Sequence, residues 1–288
     1  MHLTLSACLP FSLRAVIDSH GWSQLAPFAV EAHNETLTRI ECLSTGRVVE
    51  LCIHETTGGA SVEAKGRFTG AEREEVGYKV WWMLGLGQDF SPFYRRIRNA
   101  PKLAHVEPKA MGRLLRSPSV FEDAVKTILT TNTTWQGTIR MVEAIVAAHG
   151  TPLPTDPSRH AFPTPQQLAA THEAELRGLG LGYRAPYVLE LAQHTAGGSV
   201  DLEALKELPD SEVRQRLRAL KGIGEYAATS LMVLLGHYDH IPTDSWATKL
   251  VSQEWYGGEP VGREEVERAF APWGEWKALV YWFWDWSS

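Results

Sequence analysis

The hydrophobic pattern changes once along the chain, near residue 70, and this change limits the possible folds more than any other feature. Before it, three runs rich in β-branched residues, Thr36–Leu43, Arg47–Glu55 and Ala60–Lys65, are separated by short glycine-containing turns. Connections this short cannot make parallel crossovers, so they predict an antiparallel meander. From Ala71 onward, apolar residues recur at helical spacing along most of the remaining chain.

The sequence therefore predicts an α+β protein, with an antiparallel-sheet N-terminal domain at residues 1–95 and a mostly α-helical domain at residues 96–288. Its length suits two domains of about 150 residues each. A proline-rich stretch, Thr151–Pro165, is expected to be a loop. The later helices are expected at Ser119–Thr130, Gly137–His149, Gln166–Leu176, Ala185–Thr195, Ser211–Ala219, Glu225–Leu235, Ser245–Glu254 and Glu264–Phe270.

Composition excludes several classes of protein. Hydrophobic residues make up 44% of the chain and charged residues 22%, the balance of a globular rather than a disordered chain. No apolar stretch approaches the ~18 residues of a membrane span, and the N-terminus lacks a signal-peptide pattern. Cys8, Cys42 and Cys52 are too few for a disulfide framework or a four-cysteine metal site. We expect a soluble intracellular protein without a metal or other cofactor.

The overall charge argues against a nucleic-acid partner, but its distribution does not. The net charge is −6, whereas residues 91–150 contain nine Lys or Arg and four Asp or Glu, a local charge of +5. A second basic run, Arg214, Arg216, Arg218 and Lys221, precedes a glycine-rich turn. Any binding to DNA would therefore be local and sensitive to salt.

The glycine-rich turn, Gly222-Ile223-Gly224, joins two expected helices. Its glycines permit positive φ and leave backbone amides uncovered at the start of the next helix. These amides and the positive end of the helix dipole suit an anion such as a DNA phosphate, while Ile223 would anchor the turn between the helices. A lone Gly-x-Gly is also compatible with a plain helix connection, and the basic residues before it, including Lys221, favour the phosphate interpretation.

An aspartate, Asp244, follows Pro242 where an extended loop enters the next expected helix. Aspartate is a favoured N-cap, which alone would explain the residue. Its occurrence one helix after the glycine turn indicates a second role.

Together these residues resemble the helix–hairpin–helix DNA glycosylase superfamily, whose pattern is Leu-Pro-Gly-(Val/Ile)-Gly, a helix, then Pro-x-Asp. This chain has Leu220–Gly224 and Pro242–Asp244, and departs at Lys221, where proline is usual. Leu179–Ala185 is similar to a segment of 8-oxoguanine glycosylases. Phe121–Leu129 is similar to a helix of bacterial 3-methyladenine DNA glycosylase II, the family closest in pattern.

The resemblance implies a base-excision-repair enzyme that binds double-stranded DNA, flips out a damaged base and hydrolyses its N-glycosidic bond. It also implies a monomeric cytoplasmic protein, associated with the nucleoid if bacterial. Lys221 and the turn at 222–224 would bind the DNA backbone. Asn132 would fill the gap left by the flipped base and hydrogen-bond its orphaned partner. Asp244 would be the catalytic residue, since a buried carboxylate stabilises the oxocarbenium-like sugar.

Tyr226 occupies the place where bifunctional relatives carry a lysine that forms a Schiff base with the sugar. Tyrosine cannot do so, which predicts a hydrolase without AP-lyase activity, although Lys221 and Lys249 lie near in sequence. Trp282 matches a base-stacking tryptophan of the 3-methyladenine glycosylase II family. With Tyr226 it would sandwich an alkylated, electron-poor purine through cation–π attraction.

Two other functions stay open. Gly182-Tyr183-Arg184 and Asn132 are also compatible with an 8-oxoguanine-type glycosylase. A non-catalytic helix–hairpin–helix DNA-binding protein is the other alternative, but it would have no use for Asp244, whose charge repels phosphates. The four-cysteine spacing of an iron–sulfur cluster is missing. The lesion, the opposite base and a cation at the hairpin carbonyls are not determined by sequence.

Overall fold

The structure is a computed structural model and describes residues 1–31 and 36–286. The chain groups into two compact units, residues 1–88 with 113–205, and residues 89–112 with 206–288. The limits of these units differ from the domain boundary predicted at residue 95. The division into domains 1–95 and 96–288 stays a prediction. Within the described residues, no helix has the length and apolar character needed to cross a membrane.

A five-stranded antiparallel sheet in the order β1-β5-β4-β3-β2 forms the centre of the first unit. The strands are β1 His2–Ser6, β2 Phe28–Glu31, β3 Thr36–Cys42, β4 Val48–Thr56 and β5 Gly59–Glu63. The predicted meander is confirmed as β3, β4 and β5. Its two turns place Gly46 and Gly58 at φ +81° and +86°, where glycine is favoured. The edge strands β1 and β2 were missed because each is short and lacks a β-branched run.

A small hairpin replaces part of the loop expected at Thr151–Pro165. Its strands are β6 Pro152–Leu153 and β7 Asp156–His160. The prediction of a loop is therefore wrong for these residues. Proline is tolerated on edge strands, and both strands of a two-stranded hairpin are edge strands. Leu153 and Ala161 are buried against Ile40 and Val48, so the hairpin extends the hydrophobic core of the sheet.

The chain after residue 70 is mostly helical, as predicted, and one short helix, Leu13–Ile17, lies in the part that was predicted to form strands. In chain order the helices are α1 Leu13–Ile17, α2 Gly70–Met83, α3 Ser91–Ile97, α4 Val120–Thr130, α5 Trp135–His149, α6 Pro165–Ala169, α7 Glu173–Leu176, α8 Ala185–Ala196, α9 Asp210–Arg218, α10 Glu225–Leu235, α11 Ser245–Trp255, α12 Arg263–Phe270 and α13 Lys277–Phe283. Helices α3 and α9–α13 belong to the second unit. The helix expected at Gln166–Leu176 is two helices, and α13 was not predicted.

A buried ionic cluster joins the sheet to α4. Arg39 on β3 donates two hydrogen bonds to the Glu122 carboxylate, at 2.9 and 2.6 Å, and a third to Glu41 at 2.7 Å. Lys126, one turn along α4, donates to the same Glu122 at 2.6 Å. Burial opposes ionisation of Glu122, but the charges of Arg39 and Lys126 outweigh it and lower its pKa to about 2. The Glu122 carboxylate is therefore ionised at neutral pH.

Basic residues of the segment 91–150 are not all available to a partner. Arg113, Arg116 and Lys126 are buried, with at most 4% of each residue exposed. Arg113 donates to the carbonyls of Pro10, Cys8, Gln88 and Gly85, which ties together loops of the first unit. The local charge of +5 therefore overstates the positive surface of this segment.

Asp123 lies next to the ionic cluster, but its carboxyl group has no cationic partner among its hydrogen bonds. Its Oδ1 accepts from the indole of Trp22 at 2.7 Å and the backbone amide of Ser117 at 2.8 Å. Its buried Oδ2 has no hydrogen-bond partner. Burial raises the pKa of Asp123 from 3.8 to about 6, against the lowering effect of these hydrogen bonds.

We expect Asp123 to make stability fall as pH rises. Because its pKa is raised in the folded state, its favourable contribution is complete below pH 3.8 and is lost as pH rises through about 6. Asp123→Asn keeps an oxygen for both hydrogen bonds and cannot titrate. Urea unfolding between about pH 4 and pH 7 should show the stability of the wild type, relative to this variant, falling by about 2 kcal/mol. Parallel pH profiles for the two proteins would contradict this assignment.

Candidate nucleic-acid interface and catalytic site

The glycine turn lies between α9 and α10, as expected. Ile223 is buried, with 4% of the residue exposed, and its amide donates to the Leu220 carbonyl at 3.2 Å. Its side chain therefore anchors the turn. Gly224 is the N-cap of α10 and supplies no side-chain oxygen to the first amides of that helix. These amides therefore form a positive end suited to an anion.

The two glycines of the turn differ in what they require. Gly222 has φ +82°, in the left-handed region that disfavours residues with a Cβ. Gly224 has φ −77°, and a Cβ added there would find no atom within 4 Å. The fold therefore needs glycine at 222 but not at 224. Position 224 leaves an open approach to the first amides of α10.

Asp244 caps α11. Its Oδ1 accepts hydrogen bonds from the amides of Trp246 and Ala247 at 3.0 and 2.8 Å, which orients the carboxylate. The preceding loop is anchored at buried Ile241, whose amide donates to Glu267 at 3.0 Å. Asp244 itself is exposed. The expectation of a buried carboxylate is wrong, because Asp244 lies at the exposed start of α11.

A buried tyrosine, Tyr281 on α13, connects Asp244 with Tyr226. Tyr281 is only 3% exposed, and its pKa is raised first by burial and then by the charges of Asp244 and Tyr226. The start of α11 lies near this phenol, because the ring of Trp246 in its first turn is 6.4 Å from the Tyr281 ring. The sequence analysis assigned base stacking to the next residue, Trp282. Neighbouring residues on a helix point about 100° apart, so the two rings face different directions.

Aromatic side chains surround this point. Trp246 is 49% exposed and packs edge-on against Tyr281 and Trp286, with centroid distances of 6.4 and 6.3 Å. Tyr226 and Trp282, the predicted base-pocket residues, are both half-buried. Other rings near the C-terminus pack on one another around buried Phe270, namely Trp255, Trp273, Trp284 and Trp286.

Asn132 lies in the first unit, in the loop between α4 and α5. It is exposed and has φ +46°, a conformation that asparagine adopts more readily than most residues. Its amide nitrogen donates to the Tyr183 hydroxyl at 3.1 Å. The same hydroxyl contacts Thr131 Oγ1 at 3.2 Å. The loop is therefore held with the Asn132 side chain at the surface.

Arg184 also holds the loop that carries Asn132. It is 6% exposed, and its guanidinium donates to the carbonyls of Thr131, Asn132 and Leu181. Its guanidinium carbon also lies 4.5 Å from the centre of the Tyr183 ring. Sequence comparison identified Gly182-Tyr183-Arg184 as a motif but not this supporting role. Only the structure shows that Arg184 is buried and contacts Asn132, whose backbone is in the left-handed region.

Metal ligands do not cluster in the parts of the chain that the structure describes, since no three His, Cys, Asp or Glu residues there are placed to hold one ion.

Comparison with known proteins supports the resemblance that the sequence motifs indicated. A profile of the HhH-GPD superfamily base excision DNA repair protein matches residues 125–275. N-glycosylase/DNA lyase of Saccharomyces cerevisiae is 25% identical over 166 residues, which cover 53% of this chain and 44% of the yeast protein. The match thus spans less than half of the yeast protein's length.

Two solved structures share the fold over nearly the whole chain. The 3-methyladenine DNA-glycosylase from Archaeoglobus fulgidus has a TM-score of 0.75 and 24% identity, covering 98% of this chain and 97% of its own. The apo form of Clostridium acetobutylicum 8-oxoguanine glycosylase/lyase has a TM-score of 0.74 and 20% identity, covering 96% and 93%. The antiparallel sheet and the helices that follow it are therefore a fold shared with both.

We expect the two glycines of the turn to respond differently to alanine. Gly222→Ala should lower the free energy of unfolding by about 1–2 kcal/mol, because its left-handed conformation opposes a Cβ. Gly224→Ala should change it by less than about 0.5 kcal/mol, since its φ is ordinary and the space is open. Urea unfolding of both variants measures the difference. Equal losses would show that the turn has another conformation.

Proposed function

The chain belongs to the HhH-GPD superfamily of base excision DNA repair proteins, and from that premise we propose that it is a DNA glycosylase. In this proposal the protein binds double-stranded DNA, flips out one damaged base and hydrolyses its N-glycosidic bond. Its preferred substrates are alkylated purines, and it leaves the DNA strand uncut. We further propose that it acts as a monomer. A cytoplasmic or nucleoid location stays a prediction.

One observation carries the proposal: an oriented, exposed carboxylate, Asp244, lies one helix after a turn suited to phosphate. Cleavage of the N-glycosidic bond builds positive charge on the sugar. A carboxylate held in place by two backbone amides stabilises that charge without reorganising. The same group orients the attacking water or accepts its proton. A protein that only binds DNA gains nothing from a negative charge near phosphates.

Phosphate binding is assigned to Lys221 and the turn at 222–224. Both Lys221 and Gly224 are exposed, and the uncapped start of α10 offers amides and a positive dipole. The open space at Gly224 supports a close approach of the backbone. Once the strand is held there, flipping costs a few kcal/mol, and less for a damaged or mispaired base.

Asn132 is assigned to the gap left by the flipped base. It is exposed in a loop held by Arg184, so it enters a duplex without first being ordered. Its amide offers both a donor and an acceptor to the orphaned base.

The preference for alkylated purines rests on the aromatic side chains of the second unit. Tyr226 and Trp282 are half-buried and Trp246 is exposed, so their rings are available to a base. A cationic alkylated purine gains about 0.5–2 kcal/mol over a neutral base from each well-placed aromatic face.

The second candidate is an 8-oxoguanine-type glycosylase. Asn132 and Tyr183 are the residues that the sequence analysis found compatible with this function, and a hydrogen bond joins their side chains. The names of the yeast relative and of the Clostridium structure include lyase activity. Tyr226 disfavours the lyase step because a phenol forms no Schiff base.

Asp244→Asn should reduce the excision rate at least about 100-fold while leaving DNA binding nearly unchanged, since the stabilising charge is lost. Asparagine is as good an N-cap as aspartate, so stability should be kept. The measurement is single-turnover release of bases from duplexes that each contain one alkylated, oxidised, deaminated or mismatched base. Binding to a duplex with an abasic analogue is measured in parallel.

Undiminished turnover by Asp244→Asn would remove this residue from the mechanism. If the wild type binds these duplexes and excises no base from any of them, the non-catalytic alternative replaces the proposed enzyme. Which base is released fastest separates the alkylpurine reading from the 8-oxoguanine one.

The wild type should form no covalent adduct with DNA when borohydride is added, and it should nick no strand before alkali treatment. Tyr226→Lys is the matched variant, because it restores an amine at the place of the lyase nucleophile. We expect trapping only with this variant. An adduct with the wild type would contradict hydrolysis without lyase activity, and Lys221→Gln and Lys249→Gln would then locate the amine.

A further inference from the structure

Three arginines of the second unit converge on one carboxylate. Arg214 on α9 and Arg263 on α12 both donate to Glu225 Oε1, the latter at 2.8 Å. Arg218, one turn after Arg214, donates to Glu225 Oε2 at 3.0 Å. We refer to Arg214, Arg218 and Arg263 as the arginine triad. The sequence pattern showed a basic run on α9, but not that α12 completes it.

The triad retains positive charge and access to solvent. Three guanidinium groups share a single carboxylate, which leaves a local charge of +2. The side chains of Arg214, Arg218 and Arg263 are 36%, 46% and 38% exposed. A guanidinium carries five N–H donors, and the contact to Glu225 leaves most of them for another acceptor. An anion can therefore reach the triad without displacing Glu225.

The position of Glu225 places this charge beside the glycine turn. Glu225 is the first residue of α10 and follows Gly224 directly. Burial opposes its ionisation, but the hydrogen bonds and charges of Arg263 and Arg214 outweigh burial, and the pKa of Glu225 is lowered. The helix dipole also favours an anion here. The carboxylate is therefore ionised and holds three guanidinium groups next to the amides of α10.

We propose that the arginine triad is a second binding site for backbone phosphate of DNA, organised by Glu225 and adjoining the glycine turn. The proposal rests on the function proposed above and adds residues to its binding surface. Arginine suits this ligand because its planar fork matches phosphate oxygens. Glu225 fixes the guanidinium groups before DNA arrives, which reduces the entropy lost on binding.

A structural salt-bridge network that only joins α9, α10 and α12 is the competing explanation. The two differ in the salt dependence of DNA binding, since each phosphate contact releases counterions. A purely structural network affects stability and leaves that dependence unchanged. The slope of log affinity against log salt therefore separates them.

The experiment measures binding of the full chain to a duplex containing an abasic analogue, from about 50 to 200 mM salt. Arg218→Gln and Arg263→Gln should each lower the steepness of that slope by about 0.9, the value for one lost phosphate contact. The deficit of each variant should shrink about threefold across this range. Each variant is first checked for an unchanged thermal midpoint, and Arg218→Met or Arg263→Met, which also removes the charge but keeps a long side chain, is used where glutamine unfolds the protein.

Matched controls lie on the same helices. Arg216 on α9 pairs with Glu212, and Arg268 on α12 pairs with Glu265, so neither belongs to the triad. Arg216→Gln and Arg268→Gln remove the same charge and should leave the slope unchanged. Equal slopes for triad and control variants would overturn the proposal.

The outcome is distinguishable from failure of the proposed function. If the wild type excises a damaged base and the triad variants keep the wild-type slope, only the triad proposal fails. If the wild type neither binds the duplex nor excises any base, the glycosylase assignment itself fails.

Discussion

The buried ion pair between Arg39 and Glu122 sets the geometry of the first unit. It crosses from the sheet to α4, and both side chains are at most 3% exposed. Removing one partner of such a pair would leave an uncompensated buried charge, at a cost of about 3–5 kcal/mol. Because α4 ends at Thr130, the register that this pair fixes also places the loop that carries Asn132. The ion pair therefore helps to position the loop of Asn132, to which contact with DNA is assigned.

In the second unit, the starts of two helices position the groups that are proposed to act on DNA. Helix α10 begins at a glycine turn whose amides have no side-chain cap, and α11 begins at Asp244, whose carboxylate is the cap. The first arrangement leaves donors for a phosphate, whereas the second uses donors to hold an acid. Trp246, in the first turn of α11, packs against buried Tyr281, so this phenol supports the start of the helix that Asp244 caps.

Local signals were sufficient for much of this fold. The meander and helix α10 were predicted because β-branched runs, glycine turns and helical spacing are properties of neighbouring residues. The hairpin β6–β7 was not, since its stability comes from burial of Leu153 against the sheet. The buried state of Arg113 and the contacts of Arg184 were also invisible, because their partners are distant carbonyls. The resemblance identified Asp244, but only the structure shows Tyr281 beside it.

Two carboxylates lie near the surface proposed to bind DNA, and the structure gives them different partners. Glu225 is surrounded by three guanidinium groups, so its charge is reversed before a phosphate approaches. Asp244 receives only backbone amides, whose partial charges orient it without neutralising it. A carboxylate that must stabilise a cationic sugar has to keep its charge, whereas one that organises arginines does not. The difference in partners thus matches the difference in the roles proposed for the two residues.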